Sequence, residues 1–409
     1  MSRLEPRIDA NDRSDRTPLL GTTAGTRYNR ERGDLPLWRH VLENKMTWAW
    51  YNVIIASGGV SLLIFNLPYR VHRLWVLGAI VYVISLILFL ITLLVHAARF
   101  IVRPSLLPNS ICHPVEGLHV STLPAALGIL ILNGATYSEK MHGYNGHAMR
   151  SFFWIYIILS LVFGIGTPLV QFAKGAQNRP AMSLSAASIG TTLPLLLAGP
   201  TAAAVLAHLP IVGRHRTALG IMAFGVALQG MGVFVSLLYQ SSVIARLHND
   251  GFPHPRERPS LFLTSIPAAL SAWASTALAQ QALRHFPTPS TAPGGAPELV
   301  VGGVALYYVG VTLGLVFWGL ALWWFVIAAC ACIGGLNEMR AGGEILEGFI
   351  VVFAHVAFFL ASNELLRAFD WPRGLTIMNE VLGVATIAVW GLLMVGCLLG
   401  LVTGRFARD

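Results

Sequence analysis

Charged residues are scarce in this chain of 409 residues. Asp, Glu, Lys and Arg together make up 11% of the sequence, whereas hydrophobic residues make up 55%. Soluble domains are about one quarter charged, so the composition excludes an ordinary soluble protein. Long apolar stretches must satisfy their backbone polar groups internally when they cross lipid, which favours helices. The composition therefore predicts an all-α integral membrane protein with many spans.

The sequence also lacks the motifs of several other protein classes. Its four cysteines form no C-x-x-C pair and no plausible disulfide framework. It contains no H-E-x-x-H metal motif, no G-x-S-x-G elbow and no Walker loop. We therefore expect no enzyme, no cofactor and no bound metal, and any active transport would be secondary. The absence of a basic stripe with interleaved aromatics argues against a nucleic-acid partner.

Residues 1–46 are polar, arginine-rich and without an apolar run after the basic start, so they do not form a signal peptide. This segment is predicted to be a disordered tail, and its basic residues place the amino terminus in the cytoplasm. Residues 404–409 form a short carboxyl-terminal segment that contains Arg405 and Arg408. The whole chain carries a formal net charge of +9, which suits anionic lipid headgroups or anionic solutes.

Between these ends, residues 47–403 are predicted to form one transporter domain of ten transmembrane helices. Each apolar segment is close to the roughly 20 residues that a span requires. An even number of spans returns the carboxyl terminus to the cytoplasm. The predicted segments are 47–67, 75–98, 115–136, 151–173, 185–207, 219–245, 260–283, 304–332, 348–369 and 376–403.

Helix-breaking residues are concentrated in the odd-numbered segments, whereas the even-numbered segments are largely uninterrupted. This alternation predicts five helical hairpins, with broken helices inside and smooth helices facing lipid. Interrupted spans of this kind often line a transport pathway. The alternative is that glycine and proline are simply common in membrane helices. The candidate breakers and pore-lining residues are Ser57, Gly58, Gly59, Pro124, Pro194, Gly199, Pro200, Ser265 and Pro267.

Two ionisable residues inside the spans are candidates for a proton or anion site, because such residues are costly in lipid and usually functional. Glu364 could carry a co-transported proton, or it could form a membrane-edge ion pair with Arg367 at i+3. His355 could accept a proton or donate to an anion, or it could be an ordinary core histidine.

An anion could cross this domain without a buried arginine. Each broken helix begins again within the membrane, and a helix start carries a partial positive charge and unsatisfied N–H groups. Several such starts around one axis would attract an oxyanion without binding it too tightly to leave. Nearby serine and threonine hydroxyls, such as those of Thr192 and Thr264, could donate to the anion or could bond their own helix.

Five stretches in order resemble the tellurite-resistance/dicarboxylate transporter family. This family includes fungal malate permeases and sulfite efflux pumps, and plant slow anion channels share its fold. The resemblance covers residues 47–403. The matching stretches are SGGVSLLIFNLPYR, HPVEGLHVSTLPA, LQGMGVFVSLLY, RPSLFLTSIPAALSAW and FWGLALWWFVIA.

The resemblance implies five hairpins with pseudo-five-fold symmetry around a central pore lined by the odd-numbered helices. It also implies that a phenylalanine of the ninth helix closes this pore. Phe353 matches that position, although Ala354 replaces the proline that usually follows it. A plasma-membrane location and a homotrimer are further implications.

Two substrates remain open within this family. The LQGMG run and the Arg258-Pro259 start of the seventh segment resemble the malate permeases, whereas the NLPY and TLP runs resemble the sulfite pumps. We expect a secondary transporter or channel for malate-like C4-dicarboxylates, with proton coupling as an option. A sulfite efflux pump is the alternative within transport. A membrane enzyme or a receptor is the alternative hypothesis outside transport.

Overall fold

The computed structural model describes most of the predicted transporter domain. The described residues are 42–43, 45–67, 73–113, 115–138, 140, 146–174, 186–210, 215–286, 297–335, 345–369 and 371–403. Most of the predicted tail (residues 1–41 and 44) and residues 404–409 lie outside this set. The described residues form α-helices and 3-10 helices, and no β-strand occurs among them.

Ten helical segments of the described chain are long and apolar enough to cross a membrane, as predicted from the sequence. The boundaries move by up to five residues, and both the fourth and the seventh spans begin five residues earlier than predicted. The spans, numbered first to tenth below, are Trp48–Asn66, Leu74–Val102, Glu116–Ser138, Gly146–Ala173, Ala186–Ala207, Arg216–Asp250, Pro255–His285, Val301–Ile333, Ile345–Phe369 and Arg373–Val402.

The odd-numbered spans are buried and the even-numbered spans are exposed, which confirms the predicted alternation. Between 67% and 89% of the most apolar 18-residue stretch of each odd-numbered span is buried, compared with 17% to 44% for the even-numbered spans. The even-numbered spans present large apolar side chains on the outer surface, including Leu94, Phe234 and Leu392. These side chains suit a hydrocarbon environment.

Each even-numbered span is one α-helix, whereas four of the five odd-numbered spans are composite. These four begin with a 3-10 helix and continue as an α-helix. The 3-10 helices are Trp48–Trp50, Glu116–His119, Ala186–Thr192 and Pro255–Thr264, and the α-helices that follow are Tyr51–Asn66, Thr122–Ser138, Leu193–Leu196 with Ala198–Ala207, and Ser265–His285. The ninth span, Ile345–Phe369, is α-helical throughout. A further short helix, Leu106–Cys112, follows the second span.

The odd-numbered spans contact one another in a closed cycle. The first contacts the third, and the contacts continue through the fifth, seventh and ninth spans back to the first. The four 3-10 helices follow the same order and also close through the ninth span. We call the side of the bundle where the odd-numbered spans begin the start face. Each even-numbered span packs on the odd-numbered span before it, while pseudo-five-fold symmetry about a pore remains a prediction.

Local residues explain two features of the start face. The sixth span ends at Asp250, and Gly251 follows with φ of 75°, a left-handed conformation that glycine adopts at helix ends without steric cost. Arg99, at the end of the second span, donates to Glu116 at 2.8 Å, with only 4% of the arginine side chain exposed. This ion pair joins the second span to the 3-10 helix that opens the third.

Candidate functional site

Four prolines of the odd-numbered spans lie within the first three residues of an α-helix, and the other two, Pro255 and Pro259, lie in the 3-10 helix that opens the seventh span. Pro124, Pro194, Pro200 and Pro267 occupy the third, second, third and third positions of their helices, respectively. The first four N–H groups of an α-helix have no acceptor within the helix, so proline costs little there. These four prolines therefore mark points inside the spans where an α-helix begins, rather than kinks within a continuous helix.

Two glutamines of the sixth span bind backbone groups at these helix starts. Gln229 accepts a hydrogen bond from the N–H of Gly199 at 3.3 Å through its Oε1, and its Nε2 donates to Ser271 at 2.9 Å. Gln240 donates to the carbonyl of Thr264 at 2.8 Å. Thr264 is the residue immediately before the α-helix Ser265–His285. The sixth span thus binds the backbone at the α-helix starts of both the fifth and the seventh spans.

Sequence reasoning did not identify Gln229 and Gln240. They lie eleven residues apart in an apolar helix, a spacing of about three turns that places both on one face. A pair of buried amides on one face of a membrane helix was the available signal. Their partners are 30 and 24 residues away along the chain, so the sequence offered no local clue to what they bind.

Most of the hydroxyl groups near the breaks bond their own helices. Thr191, Thr192, Thr264 and Ser265 each donate to the carbonyl three residues before them, at 2.6 to 2.8 Å. In the structure these hydroxyl groups therefore bond their own helices, which was the alternative to donating to an anion. Ser57 faces the tenth span, where it accepts a hydrogen bond from Trp390 at 3.0 Å.

Gly58 and Gly59 do not break the first span, contrary to the prediction, because the helix Tyr51–Asn66 runs through both without interruption. Their role is close packing. A Cβ atom added at Gly58 would lie 3.1 Å from Ile129 of the third span. A Cβ atom added at Gly59 would lie 3.0 Å from the ring of Phe353 and 3.1 Å from Val356, both of the ninth span.

The Phe353 ring therefore packs directly against the backbone of Gly59, where a side chain would leave it too little space. This ring is 1% exposed, and it lies on the ninth span, which closes the cycle of buried spans. The helix continues unbroken through Ala354, as expected where alanine replaces a helix-breaking proline. The ring and the glycine come from adjacent members of the cycle, so their contact is part of the interface between the ninth and the first spans.

The contacts of His355 and Glu364 lie away from Phe353. The His355 ring packs between Phe262 and Phe325, with centroid distances of 4.5 and 5.0 Å, and its Nδ1 lies 2.8 Å from the carbonyl of Val351. Because it is two residues from Phe353, it points to nearly the opposite side of the helix.

Glu364 lies near the far end of the ninth span. Gln280 donates to its carboxylate at 3.2 Å. Arg367 approaches the other carboxylate oxygen at 3.9 Å, which is the predicted i+3 pair.

A cavity of about 290 Å³ opens at the start face among the beginnings of the third, fifth, seventh and ninth spans. We call it the start-face cavity. Its lining includes His119, Ala187, Arg256, Ser260 and Glu347, together with apolar side chains of the ninth span. Within the described part of the chain, no group of three His, Cys, Asp or Glu side chains is arranged to hold a metal ion.

Comparisons with known proteins agree with this architecture. A family model described as voltage-dependent anion channel, SLAC1, matches residues 45–398. The chain is 26% identical over 355 residues to a malic acid transport protein of Schizosaccharomyces pombe, covering 85% of this chain and 76% of that protein. A second, putative malic acid transport protein of the same yeast is 24% identical, with 85% and 78% covered. A sulfite efflux pump of Trichophyton rubrum is 19% identical, with 83% and 87% covered.

Proposed function

This chain belongs to the voltage-dependent anion channel family, SLAC1, and from that premise we propose that it moves small organic acid anions across a membrane. The proposed substrates are malate-like C4-dicarboxylates. The two malic acid transport proteins that match 85% of this chain support this choice.

The observation that carries the proposal is the contact between Phe353 and Gly59. A fully buried aromatic ring of the ninth span fills the space left by a missing side chain on the first span. These two spans are neighbours in the closed cycle of buried spans. A ring in this position is suited to closing a route along the axis of the cycle, and its displacement would open that route.

The remaining features describe the proposed route in order. An anion enters through the start-face cavity, where Arg256 and His119 line the wall together with Glu257 and Glu347. It then passes the helix starts marked by Pro124, Pro194 and Pro267, whose partial positive charge attracts it. The closed cycle of contacts supports a pseudo-five-fold arrangement of the five span pairs around this route.

Proton coupling is a proposed refinement of this function. Glu364 is a membrane-embedded carboxylate that receives a hydrogen bond from Gln280, so it is the proposed proton carrier. His355 is the second candidate, although its aromatic surroundings separate it from the proposed gate.

The proposed setting is the plasma membrane, with both termini in the cytoplasm and the start face on the cytoplasmic side. The alternation of buried and exposed spans supports lipid contact through the even-numbered spans. A homotrimer is the proposed assembly.

A sulfite efflux pump is the second candidate function, because a relative with that name matches 83% of this chain. Purified protein in liposomes separates the two. We expect uptake of labelled malate down its gradient, with slower sulfite uptake. Sulfite uptake without malate uptake would favour the second candidate, and uptake of neither anion would refute both.

A further inference from the structure

Asn52 of the first span is a buried amide without a partner. It is 1% exposed, and neither its Nδ2 nor its Oδ1 has a hydrogen-bond partner among the described residues. The other buried asparagines differ, because Asn133, Asn363 and Asn379 each donate to a backbone carbonyl. Buried polar groups are normally hydrogen-bonded, so a buried amide with both polar atoms unpartnered requires an explanation.

The helix of the first span shows which way Asn52 faces. Asn52 precedes Gly59 by seven residues, which is about two turns, so the two share one face. Gly59 contacts Phe353 on this face. The other faces meet different spans, since Gly58 packs on the third span and Ser57 on the tenth, so Asn52 lies on the side of the first span that faces the ninth.

Asn52 therefore lies on the face that carries the contact with the proposed gate, displaced toward the start face. Seven residues of α-helix correspond to about 10 Å along the axis. An anion that has entered from the start face would reach this amide before it reaches Phe353.

We propose that Asn52 binds the transported anion by hydrogen bonds just before the gate and thereby selects oxyanions. Its NH₂ group offers two donors to a carboxylate, and its carbonyl can accept from a hydroxyl group, such as that of a 2-hydroxy acid. An amide makes this contact without a fixed charge, so the anion is recognised but can still leave.

The role of Asn52 rests on the proposed function, so the test measures transport and binding separately. Asn52→Leu keeps the approximate size and removes the hydrogen-bonding groups, while Asn52→Asp keeps the shape and introduces a carboxylate. Asn379→Leu is the matched control, because Asn379 is also a buried asparagine but lies on the tenth span. Each variant is purified, checked for folding by gel filtration and placed in liposomes.

We expect Asn52→Leu to lower malate flux about tenfold, in keeping with the loss of a hydrogen bond to a charged group. Flux of iodide, a poor hydrogen-bond acceptor, should change little. Asn52→Asp should suppress both fluxes by charge repulsion, and Asn379→Leu should retain the wild-type ratio of malate to iodide. Equal loss of malate and iodide flux in folded Asn52→Leu protein, or an unchanged ratio, would overturn the proposal.

Thermal stabilisation by malate distinguishes failure of this site from failure of the proposed function. Wild-type protein should be stabilised by added malate, and Asn52→Leu protein should not. Stabilisation that depends on Asn52 without any flux would refute transport but keep the binding site. Malate flux in the wild type with an unaltered Asn52→Leu variant would keep transport and refute the binding site.

Discussion

Replacing Phe353 by alanine tests the proposed gate most directly. The ring is fully buried and lies against Gly59, so an anion can pass along this part of the proposed route only after the ring moves. Alanine removes the obstruction and the packing that holds it in place. We therefore expect Phe353→Ala to increase anion flux.

The size of the increase follows from the packing that keeps the ring in place. Complete burial of a phenylalanine side chain stabilises its position by about 1.5–3 kcal/mol. Because about 1.4 kcal/mol corresponds to a factor of ten, the variant should show an increase of roughly one to two orders of magnitude in malate flux. The substitution should also lower the free energy of unfolding by about 3–5 kcal/mol, the usual cost of Phe→Ala in a core.

Phe359→Ala is the matched control for this experiment. Phe359 lies on the same span with 0% exposure, but its ring packs against Gly383 of the tenth span. Both variants should lose comparable stability, and only Phe353→Ala should gain flux. Flux is measured as radiolabelled malate uptake into liposomes at equal protein content. An unchanged flux in folded Phe353→Ala protein, or an equal gain in Phe359→Ala protein, would remove Phe353 from the role of gate.

Three other substitutions test the remaining parts of the route. Arg256→Gln should lower malate flux at low ionic strength, with a smaller effect at high salt because surface charges are screened. The control Arg373→Gln should leave malate flux unchanged. An effect of Arg256→Gln that is independent of salt would contradict electrostatic attraction. Gln240→Leu should lower the free energy of unfolding by about 1–3 kcal/mol because the buried Trp324 N–H loses its acceptor and the Thr264 carbonyl loses a donor. An unchanged melting temperature would show that these hydrogen bonds are dispensable. Glu364→Gln should abolish the pH dependence of uptake, and retained dependence would make this residue structural.

Composition and hydrophobic pattern were sufficient to predict the ten spans, because a membrane helix requires a long apolar run wherever it occurs. The alternation of buried and exposed spans was also predictable, since proline and glycine mark helices that pack against protein rather than lipid. The exact form of the breaks could not be predicted from the sequence. Pro267 was expected to bend or open a helix, and the structure places a change from 3-10 to α-helix just before it. Proline fits both arrangements, and the neighbouring spans determine which one occurs.

Contacts between distant spans were the least predictable features. Gly59 and Phe353 are almost three hundred residues apart, and their pairing depends on the closure of the whole cycle. Only the family resemblance suggested the role of Phe353. The opposite orientation of His355, by contrast, follows from helical periodicity alone, since two residues rotate the side chain by about 200°.

The hydrogen bonds that the sixth span makes at the helix starts limit which backbone groups can bind an anion. At the fifth span, the N–H of Gly199 is already bound by Gln229, so this freed amide is not available to coordinate a solute. The field of the helix starts remains, because the macrodipole arises from all aligned peptide units and not from one unsatisfied group. Attraction along the proposed route therefore comes mainly from the field near each helix start. Direct contact is left to unpartnered groups such as the amide of Asn52. A solute held in this way experiences a favourable potential but few short bonds, which favours rapid passage over tight binding.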